Sequence, residues 1–431
     1  MTRFRDVLKD RNFFCLWSGQ LISNFGDRLS QMALVALIYQ REPGSAIALA
    51  KLISFTIIPV FLIGPVAGAW VDRLDKRNVM IISDLARGCM VLAIPFFVMA
   101  NQILLVYFVV FLMFSISRFF IPSKMAIIPD IVAREKLLVA NTLSDTTHML
   151  GNVMGLVVAG IIVNIKYIGA IGGFYIDGAT FFISAALIGM MLRRQFVSRV
   201  REDLKATTKA FGSSIRRSIF EEMREGVGYL RRYSNMRFIV NVFFFLMAGL
   251  GAISCVIIVF IQESFGTATL DLGLIGMFLV AGLFMGTLLY GRLCQKADKK
   301  NAIYLSFAAC GLSVMLFTVF VKHYPNIAVS GFFSALIGMS ASPIMIAVNT
   351  MTHETMPEDA RGRAFSSLEV VTHLAFLVFM FLTAYAAKNI ERFYILIAVG
   401  ALFAVCGLLG RLSNASSRSK PAEAKSRDEE E

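Results

Sequence analysis

The chain has 431 residues, of which 57% are apolar and only 16% charged, and its mean hydropathy is +0.69. A water-soluble domain carries about 25% charged residues, so this chain holds more apolar surface than a soluble core can hide, and a bilayer is its solvent. That argues against a soluble enzyme, a disordered protein and a disulfide scaffold. The six cysteines are scattered with no C-x-x-C pair and read as packing residues.

Apolar runs near 20 residues, the length that crosses about 30 Å of hydrocarbon, follow in chain order. The first six are Phe13–Tyr39, Ile47–Val71, Val79–Ala100, Ile103–Ile121, Leu137–Val163 and Ile168–Leu192. A polar stretch, residues 193–237, contains no run long enough to span. Six more runs follow: Phe238–Ile261, Leu272–Leu293, Ala302–Val321, Ile327–Val348, Ala364–Ala386 and Phe393–Leu409. The fold class is therefore all-α integral membrane, with twelve transmembrane helices in two six-helix bundles. The organisation is 1–192 for the first bundle, 193–237 for a basic linker, 238–411 for the second bundle, and 412–431 for a disordered tail rich in Ser, Ala, Lys and Glu. Short alternating strand segments, the mark of a membrane barrel, are absent from the sequence.

Charge placement sets the orientation. If both termini are cytoplasmic, the basic residues of the N-terminus, the central stretch, the tail and the even-to-odd connections all lie inside. The opposite side holds only Arg41, Lys166, Lys322, Lys388 and Arg392. Positive-inside asymmetry of this kind explains the net charge of +13 as a topology signal facing anionic lipid rather than a nucleic-acid patch. The first run is too long for a signal peptide and reads as a retained helix.

The two halves echo each other. Gly68-x-x-x-Asp72-Arg73-x-Asp75-Lys76-Arg77-Asn78 after the second run matches Gly291-Arg292-x-x-Gln295-Lys296-x-Asp298-Lys299-Lys300-Asn301 after the eighth, at an offset of 223. Leu143 and His148 are echoed by Leu368 and His373. Internal repeats at equivalent connections mark duplicated halves.

With these residues in view, the chain resembles the major facilitator superfamily. Twelve spans, the loop motif Gly68-x-x-x-Asp72-Arg73-x-x-Lys76-Arg77 and its degenerate second copy carry the likeness over nearly the whole chain. More narrowly it is similar to the drug–proton antiporter branch that includes macrolide, siderophore and lysophospholipid transporters. The stretches concerned are Ser23-Asn-Phe-Gly26-Asp27, Asp72-Arg-Leu-Asp-Lys-Arg77, Pro122-Ser-Lys124-Met-Ala-Ile-Ile-Pro129, Leu138-Val-Ala-Asn141 and Asp177–Ser184. Asp75 stands where the superfamily usually has Gly, a departure common in this branch. Gln295 replaces the acid in the second copy, which weakens the expectation of a full gate there.

The resemblance implies that Gly68, Asp72, Arg73, Lys76 and Arg77 form a latch that biases the equilibrium between conformational states. Gly68 would permit close helix approach, Asp72 would accept from a neighbouring helix N-terminus, and the cations would hold the cytoplasmic face. Ionisable residues inside a membrane segment are costly and mark function. Asp27 falls near the middle of the first run and is the leading proton or cation site; the alternative is a local pair with Arg28 or Arg118 that only holds packing. Arg118 either tunes a carboxylate or binds an anionic substrate group, or else snorkels to the interface. Asp84 and Arg87 are spaced to pair on one helix. Asp145 and Glu369 occupy near-equivalent places in the two halves, close to helix ends, and read as gating groups. Asp177 matches a position of the resembled family and reads as packing. Gly151, Gly155, Gly160, Gly282 and Gly286 fit close helix approach, and Ser334, Ser340, Ser342 and Asn349 offer hydrogen bonds.

The function expected is secondary active transport: proton-coupled efflux of an amphipathic drug, macrolide or siderophore by alternating access. The alternative is a lysophospholipid flippase, with Lys124 meeting the phosphate, and a distant one is a membrane enzyme or sensor on the same fold. No P-loop and no catalytic cluster is present in the sequence, so no enzyme activity, catalytic residue, metal or cofactor is expected, and the proton gradient is the energy source. The expected partners are the substrate and membrane lipids, without nucleic acid. The chain is expected to be a monomer in the plasma (inner) membrane with both termini cytoplasmic.

Overall fold

The computed structural model describes residues 4–71, 74–191, 234–293, 298–355 and 358–418. After a short helix α1 (Phe4–Leu8) come α2 (Arg11–Arg41), α3 (Ala46–Val71), α4 (Lys76–Met99), α5 (Ile103–Ile131), α6 (Leu137–Asn164) and α7 (Gly169–Gly189). The second half contributes α8 (Ser234–Phe265), α9 (Leu270–Leu293), α10 (Lys299–His323), α11 (Ile327–Thr355), α12 (Glu358–Ala386) and α13 (Arg392–Arg418). Twelve of these described helices are long enough to cross a membrane at 1.5 Å per residue. Ten also hold a long apolar window among the described residues, and α6 holds the apolar segment Gly155–Asn164; α2 is the long helix without one.

The helices start where local chemistry lets them. Asp10 caps α2 by accepting from the backbone N–H of Asn12 at 3.0 Å. Asp75 caps α4 by accepting from Asn78 at 3.2 Å, and its repeat partner Asp298 is the N-cap residue of α10. The fourth span was expected to end at Ile121, before Pro122, but α5 runs through Pro122 and Pro129 to Ile131. In hydrocarbon no water rewards unwinding, so proline inside a membrane helix is tolerated. At the other end of the chain α13 continues to Arg418, beyond the expected boundary at 411. There the Asn414 amide donates to Asp298 Oδ2 at 3.1 Å and Asn301 Oδ1 at 2.7 Å, which ties the extension down. Residues 193–233 of the expected linker and 419–431 of the tail lie outside the described residues.

The described residues group into two compact units. The first comprises Met1–Tyr229, Thr267–Gly273 and Gly362–Leu374; the second comprises Leu230–Gly266, Leu274–Arg361 and Ala375–Glu431. In the first, small residues bring α2 and α7 together: Gly19 faces Ser184, Gly26 faces Thr180, and Ala33 faces Gly173. Gly88 of α4 packs against the Gly178 carbonyl and Phe181 of α7. In the second, Gly311 of α10 meets the Gly400 backbone of α13, while Gly282 and Gly286 of α9 meet Ala335 and Met339 of α11. The third and sixth long helices therefore pair in each unit, α4 with α7 and α10 with α13.

Candidate functional site: a charged cavity in the first unit

Five charged side chains of the membrane-crossing helices in the first unit line one cavity of about 250 Å³. Helix α2 supplies Gln20, Ser23, Asn24, Asp27, Arg28 and Gln31, a polar stripe at the 3.6-residue repeat. Arg87 comes from α4, His148 from α6, and Ser117, Arg118 and Lys124 from α5. Met113, Phe114, Phe120 and Ile121 of α5 form its apolar wall.

The cavity explains why α2 fails the apolarity test. Six polar side chains on one stripe lower its hydropathy, yet they face polar space rather than lipid. The adjacent stripe of α2 is the small-residue face packed on α7. On α6, Thr147 accepts from Trp17 Nε1 at 2.8 Å and Ser144 donates to Gln20 Oε1 at 3.3 Å, so its polar residues also meet α2.

Asp27 is half-buried on the cavity wall, and among the described residues it forms no salt bridge. The local pair with Arg28 is not formed, because Arg28 Nη1 donates instead to Gln31 Oε1 at 2.5 Å. Arg28, Arg87 and His148 act on Asp27 through Coulomb interaction. Behind it, Asp177 is fully buried and accepts from Ser30 Oγ and from Thr180 Oγ1, the latter at 3.2 Å. Its charge also interacts with that of Asp27.

Asp84 and Arg87 do pair, three residues apart on α4, and both are buried. Asp84 Oδ2 also accepts from Ser184 Oγ at 2.7 Å. The Arg87 guanidinium lies between the rings of Phe181, at 4.4 Å, and Phe120, at 4.9 Å. This pair thus has a structural anchor on α7 and one face on the cavity.

Arg118 lines the cavity with Asp27, and Coulomb interaction links it to Glu369. Glu369 itself is exposed, on the Gly362–Leu374 part of α12 that groups with this unit. Asp145 is exposed and does not line the cavity, though it interacts with Lys124 and His148. His373 points back along its own helix, its Nδ1 2.8 Å from the Glu369 carbonyl.

The loop motif lies apart from the cavity. Lys76 Nζ is 3.6 Å from Asp130 Oδ2 of α5. Arg77 Nε donates to the Ile188 carbonyl at 3.2 Å and its Nη2 donates to the Gly189 carbonyl, both at the C-terminal end of α7. A cation there meets carbonyls of the last turn, of which Ile188 also accepts from the Met191 N–H at 3.2 Å, and the negative end of the helix dipole. Two of the three latch cations therefore tie three helix ends together. Gly68 lies on α3, while Asp72 and Arg73 lie outside the described residues.

Sequence reasoning missed Gln20, Ser23, Asn24 and Gln31 as cavity residues, and Gly19 and Gly26 as the α2–α7 contact. The signal was available: polar residues at 20, 23, 24, 27 and 31 and small ones at 19, 23, 26, 30 and 33 make two stripes on one helix.

The family model described as Major Facilitator Superfamily matches residues 16–322 and 240–430. The MFS-type transporter YfiS of Bacillus subtilis is 23% identical over 425 residues, covering 93% of this chain and 90% of its own. Macrolide efflux protein A of Streptococcus pyogenes is 24% identical over 386 residues, covering 88% of this chain and 90% of its own. Among solved structures, a bacterial homologue of the iron transporter ferroportin in an inward-facing state superposes with a TM-score of 0.67 at 14% identity, covering 93% of this chain and 98% of that one.

Proposed function

The chain belongs to the Major Facilitator Superfamily, and from that premise we propose that it exports an amphipathic small molecule in exchange for protons. Family and relatives are transporters, which supports transport as the activity. The observation that carries the proposal is the Asp27 carboxyl, unpaired on the wall of a membrane-embedded cavity that also holds apolar side chains. A carboxyl in that position can take a proton from one side and lose it to the other. Arg28, Arg87 and His148 sense its charge, so its protonation state changes the field that a substrate meets. Likeness to a macrolide efflux protein supports outward transport of a bulky amphipath.

On this reading transport proceeds by alternating access. The protein works as a monomer in the plasma membrane, with both termini cytoplasmic, and needs no resident metal or cofactor. Lys76 and Arg77, bound to helix ends, belong to the latch that holds one state. A second reading, a lysophospholipid flippase, is favoured by one observation: Lys124, just after Pro122, lines the cavity.

The test is transport into inverted vesicles with an imposed pH gradient, over a panel of macrolides, siderophores and lysophospholipids. Wild type should accumulate at least one of them and lose accumulation on adding a protonophore. Asp27→Asn should still exchange substrate down its own gradient while losing uphill transport. Uphill transport in Asp27→Asn together with its loss in a Glu369 variant would move the coupling site. Transport that no protonophore affects would favour the flippase.

A further inference from the structure

The cavity carries four cations on its wall, Arg28, Arg87, Arg118 and Lys124, against the single carboxylate of Asp27. Their partners are unequal. Arg87 is neutralised by Asp84 behind it, and Arg28 gives one N–H to the neutral Gln31. Arg118 and Lys124 have no hydrogen bond or salt bridge among the described residues; only the exposed Glu369 and Asp145 act on them at longer range. The Nε–H groups of Arg28, Arg87 and Arg118 are all buried without a hydrogen-bond partner. Arg87 is itself 94% buried, being only 6% exposed.

Such groups are rare in a finished protein, because a buried donor without an acceptor forfeits its hydration. Three unmet guanidinium donors round one cavity mark the place of a missing acceptor. The acceptor that satisfies several cationic donors at once is an oxyanion, and guanidinium groups suit it geometrically. Next to the cations, Met113, Phe114, Phe120 and Ile121 offer an apolar surface to whatever carries that anion.

We propose that this cavity is an oxyanion subsite, in which Arg118 and Lys124 hold the carboxylate or phosphate of an amphipathic substrate whose apolar part lies on the α5 wall. The inference rests on the transport reading above and narrows its substrate class: with Asp84 and Asp27 counted against the four cations, a cationic amphipath meets two excess positive charges here and is disfavoured. The oxyanion can belong to a soluble amphipathic acid or to a lysophospholipid headgroup; the subsite recognises what the two share.

The test is equilibrium binding to the full chain in nanodiscs of zwitterionic lipid, with no gradient present. The probes are 11-(dansylamino)undecanoic acid, its primary amide and the matching amine. The acid should bind at least about tenfold more tightly than the amide, and the amine more weakly than both. Arg118→Gln/Lys124→Gln should remove the preference of acid over amide. The charge-retaining pair Arg118→Lys/Lys124→Arg should restore most of it, which separates lost charge from lost fold. Displacement of the acid by hexyl phosphate marks a soluble oxyanion, and displacement by lysophosphatidylglycerol alone marks the lipid. Equal binding of acid and amine, or an undiminished acid preference in the Gln pair, overturns the subsite. Because no proton gradient enters this assay, its failure leaves proton-coupled export standing, and failure of coupling leaves the subsite standing.

Discussion

Asp84 and Arg87 show what a single ion pair does when it is buried. Neither side chain keeps water, and each is held by further contacts: Ser184 on the carboxylate, Phe120 and Phe181 on the guanidinium. Removing one partner leaves an uncompensated charge, at a cost of about 3–5 kcal/mol, whereas replacing both by apolar residues is often near neutral. Asp84→Ala should therefore lower the thermal stability of the purified protein sharply, and Asp84→Leu/Arg87→Met should recover most of the loss in the same melting experiment. The i,i+3 spacing made this pair legible from the sequence. The Ser184 and phenylalanine partners were not, because nothing in local spacing says which face of α7 meets α4. For the same reason Asp27 was legible as an intramembrane acid, but its freedom from Arg28 was not: Gln31, one helical turn on, captures that guanidinium instead.

Between helices, backbone approach decides more than side-chain size. A Cβ on Gly311 would sit against the Gly400 carbonyl and Ala404 N–H, both backbone atoms that cannot step aside, whereas Gly276 faces open space. Gly311→Val should cost about 1–3 kcal/mol or more through overpacking, and Gly276→Ala should leave melting unchanged; a melt of both variants checks this. At the helix ends, Arg77 carries the cap of α7. Arg77→Leu should speed amide hydrogen exchange in the last turn of α7, with a loss of up to about 2 kcal/mol for a cation at a helix C-terminus. The repeat made the equivalence of Asp75 and Asp298 visible in sequence, and both prove to be N-caps. What the repeat did not show is that each copy also reaches the end of a later helix, Arg77 to α7 and Asn301 to α13 through Asn414. That tie joins residues more than a hundred positions apart, beyond any local pattern.

At the scale of the whole molecule, apolar run length located all twelve long helices, because the hydrocarbon thickness imposes it. It misjudged ends, where capping, proline tolerance and docking of polar side chains decide. The division of charge was less legible. Buried charged side chains collect in the first unit, while the buried polar residues described in the second are uncharged, such as Gln262, Ser313, Thr318, Ser334 and Ser342. Orientation remains a matter of charge asymmetry. In a cysteine-free background, a single cysteine at Gly44 should react with an impermeant thiol reagent added outside intact cells, and one at Glu135 should not. Reaction at Glu135 would reverse the assigned orientation.

The polarity of α2 bears on how the chain is made. Helix α2, made before the other long helices described, carries Asp27 and Arg28 in its middle third, together worth roughly 5–7 kcal/mol against insertion when presented alone. The residues that receive this helix, Ser144 against Gln20 of its polar stripe, Thr147 against Trp17, and Thr180 and Ser184 against its small-residue stripe, are synthesised only after α3, α4 and α5. Biogenesis of the first unit is therefore a cooperative event: α2 waits at the translocon, or at the membrane surface, until α6 and α7 arrive to receive it. Variants of α6 or α7 that never touch the transported molecule are therefore expected to lower the amount of protein in the membrane.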